Sequence, residues 1–287
     1  MSMNRINRGW ALAKESFAIL RANPQMLLFP IVSSAVTIGL ILSFVIPAYW
    51  FTGGHGFRHF SKPLAYVLMA GFYFLSYFIV IFFNSALVGV AYENLHGRSA
   101  NFTDGINTAA RKLGPILGWT LIASTVGMIL QIIREESGIV GRIVSSIIGI
   151  SWNIATYFVV PILIIEPISP IQAVKKSTAV LRQTWGEGVV GSGGIGLVTA
   201  FLFMIPIVPL IAAATTGSGI VVLAVAIPSV IYWAVVGMAS SSMTVIFQTA
   251  LYIYMQTGTT PNGYSPDLLQ TAFVPKNRMR SGGFGGL

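Results

Sequence analysis

Residues Ile220–Tyr252 read IVVLAVAIPSVIYWAVVGMASSSMTVIFQTALY, 33 consecutive residues without Lys, Arg, Asp, Glu or His. A helix crosses the hydrocarbon core of a bilayer in about 20 residues. This run therefore exceeds one perpendicular crossing, and it must tilt or continue past the membrane along the interface. Working outward, five more apolar runs reach crossing length: Leu27–Phe51, Leu64–Tyr92, Ile116–Ile133, Ile143–Ile165 and Val189–Ala214. The first begins too far from the N-terminus, and is too long, for the apolar core of a signal peptide, so it reads as an uncleaved span.

The composition agrees. Only 9% of the 287 residues are charged, against about a quarter in ordinary soluble domains, and the mean hydropathy is +0.77. A soluble globular enzyme is excluded. The net charge of +9 comes from residues lying between apolar runs, which is the pattern of membrane flanks and not of a nucleic-acid-binding domain. The absence of cysteine removes disulfides, thiolate metal sites and a Cys nucleophile.

Lys and Arg counts in the flanks set the expected orientation. Arg5, Arg8, Lys14 and Arg21 precede the first span; Arg98, Arg111 and Lys112 follow the second. Lys175, Lys176 and Arg182 follow the fourth, and Lys276, Arg278 and Arg280 follow the sixth. These 13 lie on one side of the membrane, leaving Arg58, Lys62, Arg134 and Arg142 on the other. Both termini are expected on the cytoplasmic side.

A short pattern recurs before the spans. Ser16-Phe-Ala-Ile-Leu-Arg21 and Ser177-Thr-Ala-Val-Leu-Arg182 match at four of six positions, and Asn107-Thr-Ala-Ala-Arg-Lys112 is a weaker copy. Helical periodicity places Ile6, Trp10, Ala13, Phe17 and Leu20 on one face of the first segment. It places Ile171, Val174, Thr178, Leu181 and Trp185 on one face of the last, opposite Lys175, Lys176 and Arg182. Ser169-Pro170 and Ser265-Pro266 read as helix starts, whereas Asn23-Pro24, Gly114-Pro115 and Gly186 read as stops. The expected fold is all-α. Residues 1–275 form one six-span domain of three units (1–92, 93–165 and 166–257), each an interfacial amphipathic helix plus a two-span hairpin. A half-unit (258–275) closes the chain, and the glycine-rich tail 276–287 is expected to be disordered. Such basic helices meet anionic lipid headgroups at the interface.

Chemistry-bearing motifs are sparse. All eight acids (Glu15, Glu93, Asp104, Glu135, Glu136, Glu166, Glu187 and Asp267) fit at or near an interface, and Glu93 and Glu166 face basic connections. Glu93-x-x-His96 supplies only half of a di-metal carboxylate motif, and His55 with His59 lies in a glycine-rich loop without an acidic neighbour, so no metal or other cofactor is expected. Gly191-Ser-Gly-Gly-Ile-Gly196 matches the dinucleotide pattern in letters only, since it follows no strand and opens a span. Asn101-Phe-Thr103 is a glycosylation sequon in letters only, on the side expected to be cytoplasmic. No catalytic residue is expected. The polar groups within spans are the amides Asn84, Gln131, Asn153 and Gln248, which either bond between helices or line a polar path. Pro206 and Pro209 join Gly191, Gly193, Gly194 and Gly196 in making the fifth span the expected hinge.

Arg21-Ala-Asn-Pro24 with Met26-Leu-Leu-Phe-Pro30, Trp152-Asn-Ile-Ala-Thr-Tyr-Phe-Val-Val-Pro161 and Ala173-Val-Lys-Lys-Ser177 carry a resemblance. So do Thr184-Trp185-Gly186-Glu187 and Leu251-Tyr-Ile-Tyr254 with its following Thr257-Gly258, Asp267-Leu268-Leu269 and Ala272-Phe273. Together the chain resembles an uncharacterised family of bacterial and archaeal integral membrane proteins, domain of unknown function 6159. More loosely it is similar to the membrane domain of some glycerophosphodiester phosphodiesterases, whose catalytic barrel it lacks. The resemblance implies residence in a prokaryotic cytoplasmic membrane and no assigned chemistry. The leading expectation is a non-enzymatic membrane protein working through lipids, a membrane-protein partner or its own copies. Its lipid- or partner-facing residues would be Arg21, Arg111, Lys112, Lys175, Lys176 and Arg182. The alternative is a channel or uncoupled transporter for a small solute along the amide side chains.

Overall fold

The computed structural model describes residues 5–51, 61–136, 138–184 and 188–271. The pair His55 and His59, Trp185 and Gly186, and the tail 276–287 lie outside these. In chain order the helices are α1 (Arg5–Ala22), α2 (Leu28–Phe51), α3 (Lys62–Leu95), α4 (Phe102–Arg111), α5 (Leu113–Glu136) and α6 (Gly138–Ala155). There follow α7 (Val159–Ile165), α8 (Pro170–Thr184), α9 (Gly188–Met204), α10 (Ile207–Thr215), α11 (Gly219–Thr257) and α12 (Pro266–Thr271). A 3-10 turn, Pro24–Leu27, links α1 to α2, and no strand occurs among the described residues.

Among the described residues, six segments are long and apolar enough to cross a membrane: Pro24–Pro47, Tyr66–Leu95, Leu113–Glu135, Gly138–Ile165, Ile195–Thr215 and Gly219–Thr257. Their surfaces are inverted relative to a water-soluble bundle, with Trp50, Val67, Ile143, Phe201, Val208 and Ile220 all pointing outward. Only hydrocarbon accommodates so much exposed apolar surface. The chain is a multi-pass, all-α membrane protein. At 1.5 Å per residue α11 is about 58 Å long, so the overlong last run is one continuous helix.

The chain forms two compact units. One takes the described residues of Met1–Leu27, Glu93–Ser99 and Val180–Leu287; the other takes Leu28–Tyr92 and Ala100–Ala179. Both are assembled from segments distant in sequence.

In the first unit α1 packs on α9 and α11, and α11 also packs on α9 and α10. Leu12, Ala13, Ser16, Ile19 and Leu20 are buried, as are Val245, Ile246, Phe247, Ala250 and Leu251 in the C-terminal half of α11. The expected stripe on α1 is therefore split: Ala13 and Leu20 face protein, whereas Trp10 and Phe17 face outward, 60% and 50% exposed. Interior packing selects the small and aliphatic residues along Leu12, Ser16 and Ile19, which admit close helix approach, and leaves the rings outside. The segment after α11 is tied to the same helix. Tyr264 and Ser16 share a hydroxyl–hydroxyl hydrogen bond of 2.7 Å. The backbone N–H and hydroxyl of Ser265 both donate to Glu15 Oε1, at 3.2 and 2.6 Å. The Asn262 N–H donates to the Leu95 carbonyl at 2.8 Å.

In the second unit α4 is held close to α2 and α3. Its start is a reciprocal capping box: Asn101 Oδ1 accepts from the Asp104 N–H at 3.1 Å, and the Asn101 N–H donates to Asp104 Oδ2 at 2.9 Å. Asn101 is thus a cap residue. Phe29 and Phe102 lie 4.7 Å apart between ring centroids. The expected stop at Gly114-Pro115 is corrected: α4 ends at Arg111, and Pro115 falls in the first turn of α5. A helix has no use for the proline's missing N–H at that position. The expected start at Ser169-Pro170 holds, with Gln172 Oε1 accepting from the Ser169 N–H at 3.0 Å. On α8 the buried residues are Ala173, Ser177 and Leu181, while Ile171 is 61% exposed, so its protein-facing side is also rotated from the expected one.

Two spans are broken. The fifth breaks at Ile205–Pro206, between α9 and α10; the fourth breaks at Thr156–Phe158, between α6 and α7 and just ahead of Pro161. Pro209 and Pro161 stand four residues after Ile205 and Tyr157. A proline there can neither donate to the carbonyl four residues back nor fit against it. Side chains meet backbone groups at both breaks: the Phe158 N–H donates to Ser177 Oγ at 3.1 Å, and the Trp233 indole N–H donates to the Phe203 carbonyl at 2.9 Å. The helix continues through Pro47 and Pro228 without such a break.

Two glycines make the packing testable. A Cβ on Gly105 would lie 2.6 Å from Phe29 Cζ and 2.7 Å from the Ala86 carbonyl oxygen, so Gly105→Ala is expected to destabilise by about 1–3 kcal/mol. Gly39, with nothing within 4 Å of a built Cβ, is the control, and Gly39→Ala is expected to be neutral or stabilising. Thermal unfolding in detergent distinguishes the two. Gly263 has φ +87, and its Cβ would lie 2.9 Å from Ile19 Cγ1. Gly263→Ala is therefore expected to loosen the 258–265 segment, read as faster chymotryptic cleavage after the buried Tyr264.

Candidate functional site

The outward face of α1 is the most distinctive surface of the first unit. Trp10, Lys14, Phe17 and Arg21 are all exposed and follow at i, i+4, i+7 and i+11, which places them in one stripe along the helix. Aromatic and basic side chains alternate along it. Behind the stripe, Leu12, Ser16 and Ile19 fasten the helix to protein, so the stripe's orientation is set by the core. Among the described residues neither Lys14 nor Arg21 is in an ion pair. Lys14 was absent from the expected site residues; its place between two rings was legible only once the buried face was known.

Of the six basic residues singled out by sequence, Arg21, Arg111, Lys175 and Arg182 are exposed and outside any ion pair among the described residues. The other two are engaged with Glu166. Lys176 forms an ion pair with its carboxylate, and Lys112 Nζ donates to its backbone carbonyl at 3.0 Å. Glu166 caps α7, so the two lysines join α8 and the α4–α5 junction to the end of the fourth span. Their charge is thereby committed to structure. Glu93, also expected to meet a basic connection, pairs with Arg98.

The recurring motif behaves alike in its two stronger copies. Ser16 and Ser177 are fully buried and each bonds a distant segment, Leu20 and Leu181 are buried, and Arg21 and Arg182 are exposed. In the weaker copy Asn107 is exposed and Ala109 is the buried residue.

The four amides do not bond one another among the described residues. Gln131 donates to the Glu135 carboxylate one turn away on α5. Asn84 is half-buried on α3, and Gln248 is half-buried on α11 in the other unit. Asn153 lies on the outer surface of α6. Of the expected hinge residues, Gly191, Gly193, Gly194 and Gly196 lie within α9, and the break falls at Pro206, three residues before Pro209. Proline removes a hydrogen bond outright, whereas glycine only weakens a helix that hydrocarbon otherwise enforces.

No curated protein matches the chain, and nothing in these comparisons supports the looser likeness to the phosphodiesterase membrane domain. A model of a family of unknown function, DUF6159, matches residues 64–262, which run from the second span to the segment docked on α1. The chain belongs to that family of unknown function.

Proposed function

We propose that the protein is a non-enzymatic component of a prokaryotic cytoplasmic membrane, with both termini inside, that works by holding anionic lipid headgroups at its basic cytoplasmic helices. The observation carrying this reading is the Trp10, Lys14, Phe17, Arg21 face of α1. Rings of this kind favour the boundary between headgroups and acyl chains, and each nearby Lys or Arg adds about 1 kcal/mol of attraction to an anionic surface. Exposed Arg111, Lys175 and Arg182 supply further charge from α4 and α8. The flank asymmetry of 13 Lys and Arg against four supports the orientation.

The test is lipid exchange on the purified full-length chain in nanodiscs of phosphatidylglycerol or phosphatidylcholine. The chain is expected to retain phosphatidylglycerol preferentially, and Lys14→Gln with Arg21→Gln to weaken retention by about five-fold per charge. Equal retention of the two lipids by the unaltered chain would sink the reading. The orientation has its own check, since the chain has no native cysteine. A membrane-impermeant maleimide applied to intact cells is expected to label Ile139→Cys and to spare Arg111→Cys.

A further inference from the structure

We infer that the α6 face carrying Asn153 is the contact surface for a second copy of this chain within the membrane. Asn153 sits near the middle of the segment Gly138–Ile165, at hydrocarbon depth, yet its side chain is exposed on the outer surface and has no hydrogen-bond partner among the described residues. Hydrocarbon cannot bond an amide, and leaving one unsatisfied there costs several kcal/mol. The same face presents Arg142 and Ser146, both exposed, which fall at i and i+4 below Asn153 at i+11. Ser146 Oγ donates to the Arg142 carbonyl at 2.7 Å, so its hydroxyl needs no further acceptor and lies flat along the helix. The short Ser146 side chain leaves a shallow place beside Asn153 at which another backbone can approach.

The chemistry selects the occupant. A primary amide carries both donor and acceptor, so two Asn153 side chains satisfy each other across a twofold axis. A second copy with the same topology places its Asn153 at the same membrane depth by necessity. The small residues that face inward are already used: Ser145 is fully buried, and Gly149 approaches Leu130 of α5 at 3.8 Å, measured from a built Cβ. The contact therefore uses only the outward strip of α6 and leaves the α5–α6 packing undisturbed.

The absence of native cysteine makes the test direct. Full-length chains carrying Ser146→Cys or Asn153→Cys are oxidised in native membranes, with Val140→Cys as the control on another exposed side of α6. Disulfide-linked dimers are expected at 146 and 153 and not at 140. Asn153→Leu, which keeps the helix and its inward packing, is expected to retain the native melting temperature. Its dimer, followed by single-molecule photobleaching in lipid, is expected to dissociate roughly 3- to 30-fold more readily. Equal cross-linking at all three positions, or an unaltered chain that is monomeric in lipid, would overturn the inference. So would a dimer indifferent to Asn153→Leu.

Discussion

Hydrocarbon offers no hydrogen-bonding partner, and this constraint governs the whole molecule. Every backbone N–H and C=O within a span must be met from inside the chain, which leaves helices as the only solution for runs such as α2, α3 and α11. It also removes the hydrophobic drive toward a compact interior, because lipid tails are as apolar as leucine. Many apolar side chains of these helices are accordingly spent on the outside, and the protein interior combines large residues such as Phe29, Phe158 and Phe247 with small ones that let helices approach closely. Ser16, Ser85, Thr120, Ser145 and Ser177 are all nearly or wholly buried.

The same constraint explains how two spans tolerate interruption. Pro161 and Pro209 each remove a hydrogen bond and displace a carbonyl, and a bare break of that kind would be prohibitive against lipid. At both places a side chain meets a neighbouring backbone group instead: the Ser177 hydroxyl from α8 accepts from the Phe158 N–H, and the Trp233 indole from α11 donates to the Phe203 carbonyl. Helix α8 thus does more than connect two spans. Its buried serine holds the end of the fourth span, and its Lys176 holds Glu166 at that span's exit. Ser16 plays the corresponding part for the chain end by holding Tyr264 to α1. A motif that reads as a repeat of small and aliphatic residues acts as a fastening, with one hydroxyl inward and one arginine outward.

Fastening one face of a helix decides what the other face presents. On α1 the packed line of Leu12, Ser16 and Ile19 leaves Trp10, Lys14, Phe17 and Arg21 outward, and on α6 the packed Gly141 and Ser145 leave Ser146 and Asn153 outward. The two surfaces differ in kind. The first mixes rings with cations and suits an interface between water and lipid; the second places one uncharged amide among aliphatic residues and suits another protein at depth.

By itself the sequence determined the all-helical class, the six spans, the capped starts of α8 and the end of α1. These follow from uninterrupted apolar length and from local backbone chemistry, both of which act within a few residues. Periodicity also showed that α1 and α8 are two-sided. It did not show which residues each side presents: Trp10 and Phe17 share a helical face with Leu20 on a 3.6-residue period, and only the shape of the facing α9 and α11 separates them. The roles of Glu15, Tyr264 and Trp233 had no local signal, because their partners lie 250, 248 and 30 residues away. Nor did the sequence distinguish Lys176, committed to Glu166, from its neighbour Lys175, exposed on the surface. That difference is one of direction around a helix, and it is decided only when a second element arrives to occupy one side.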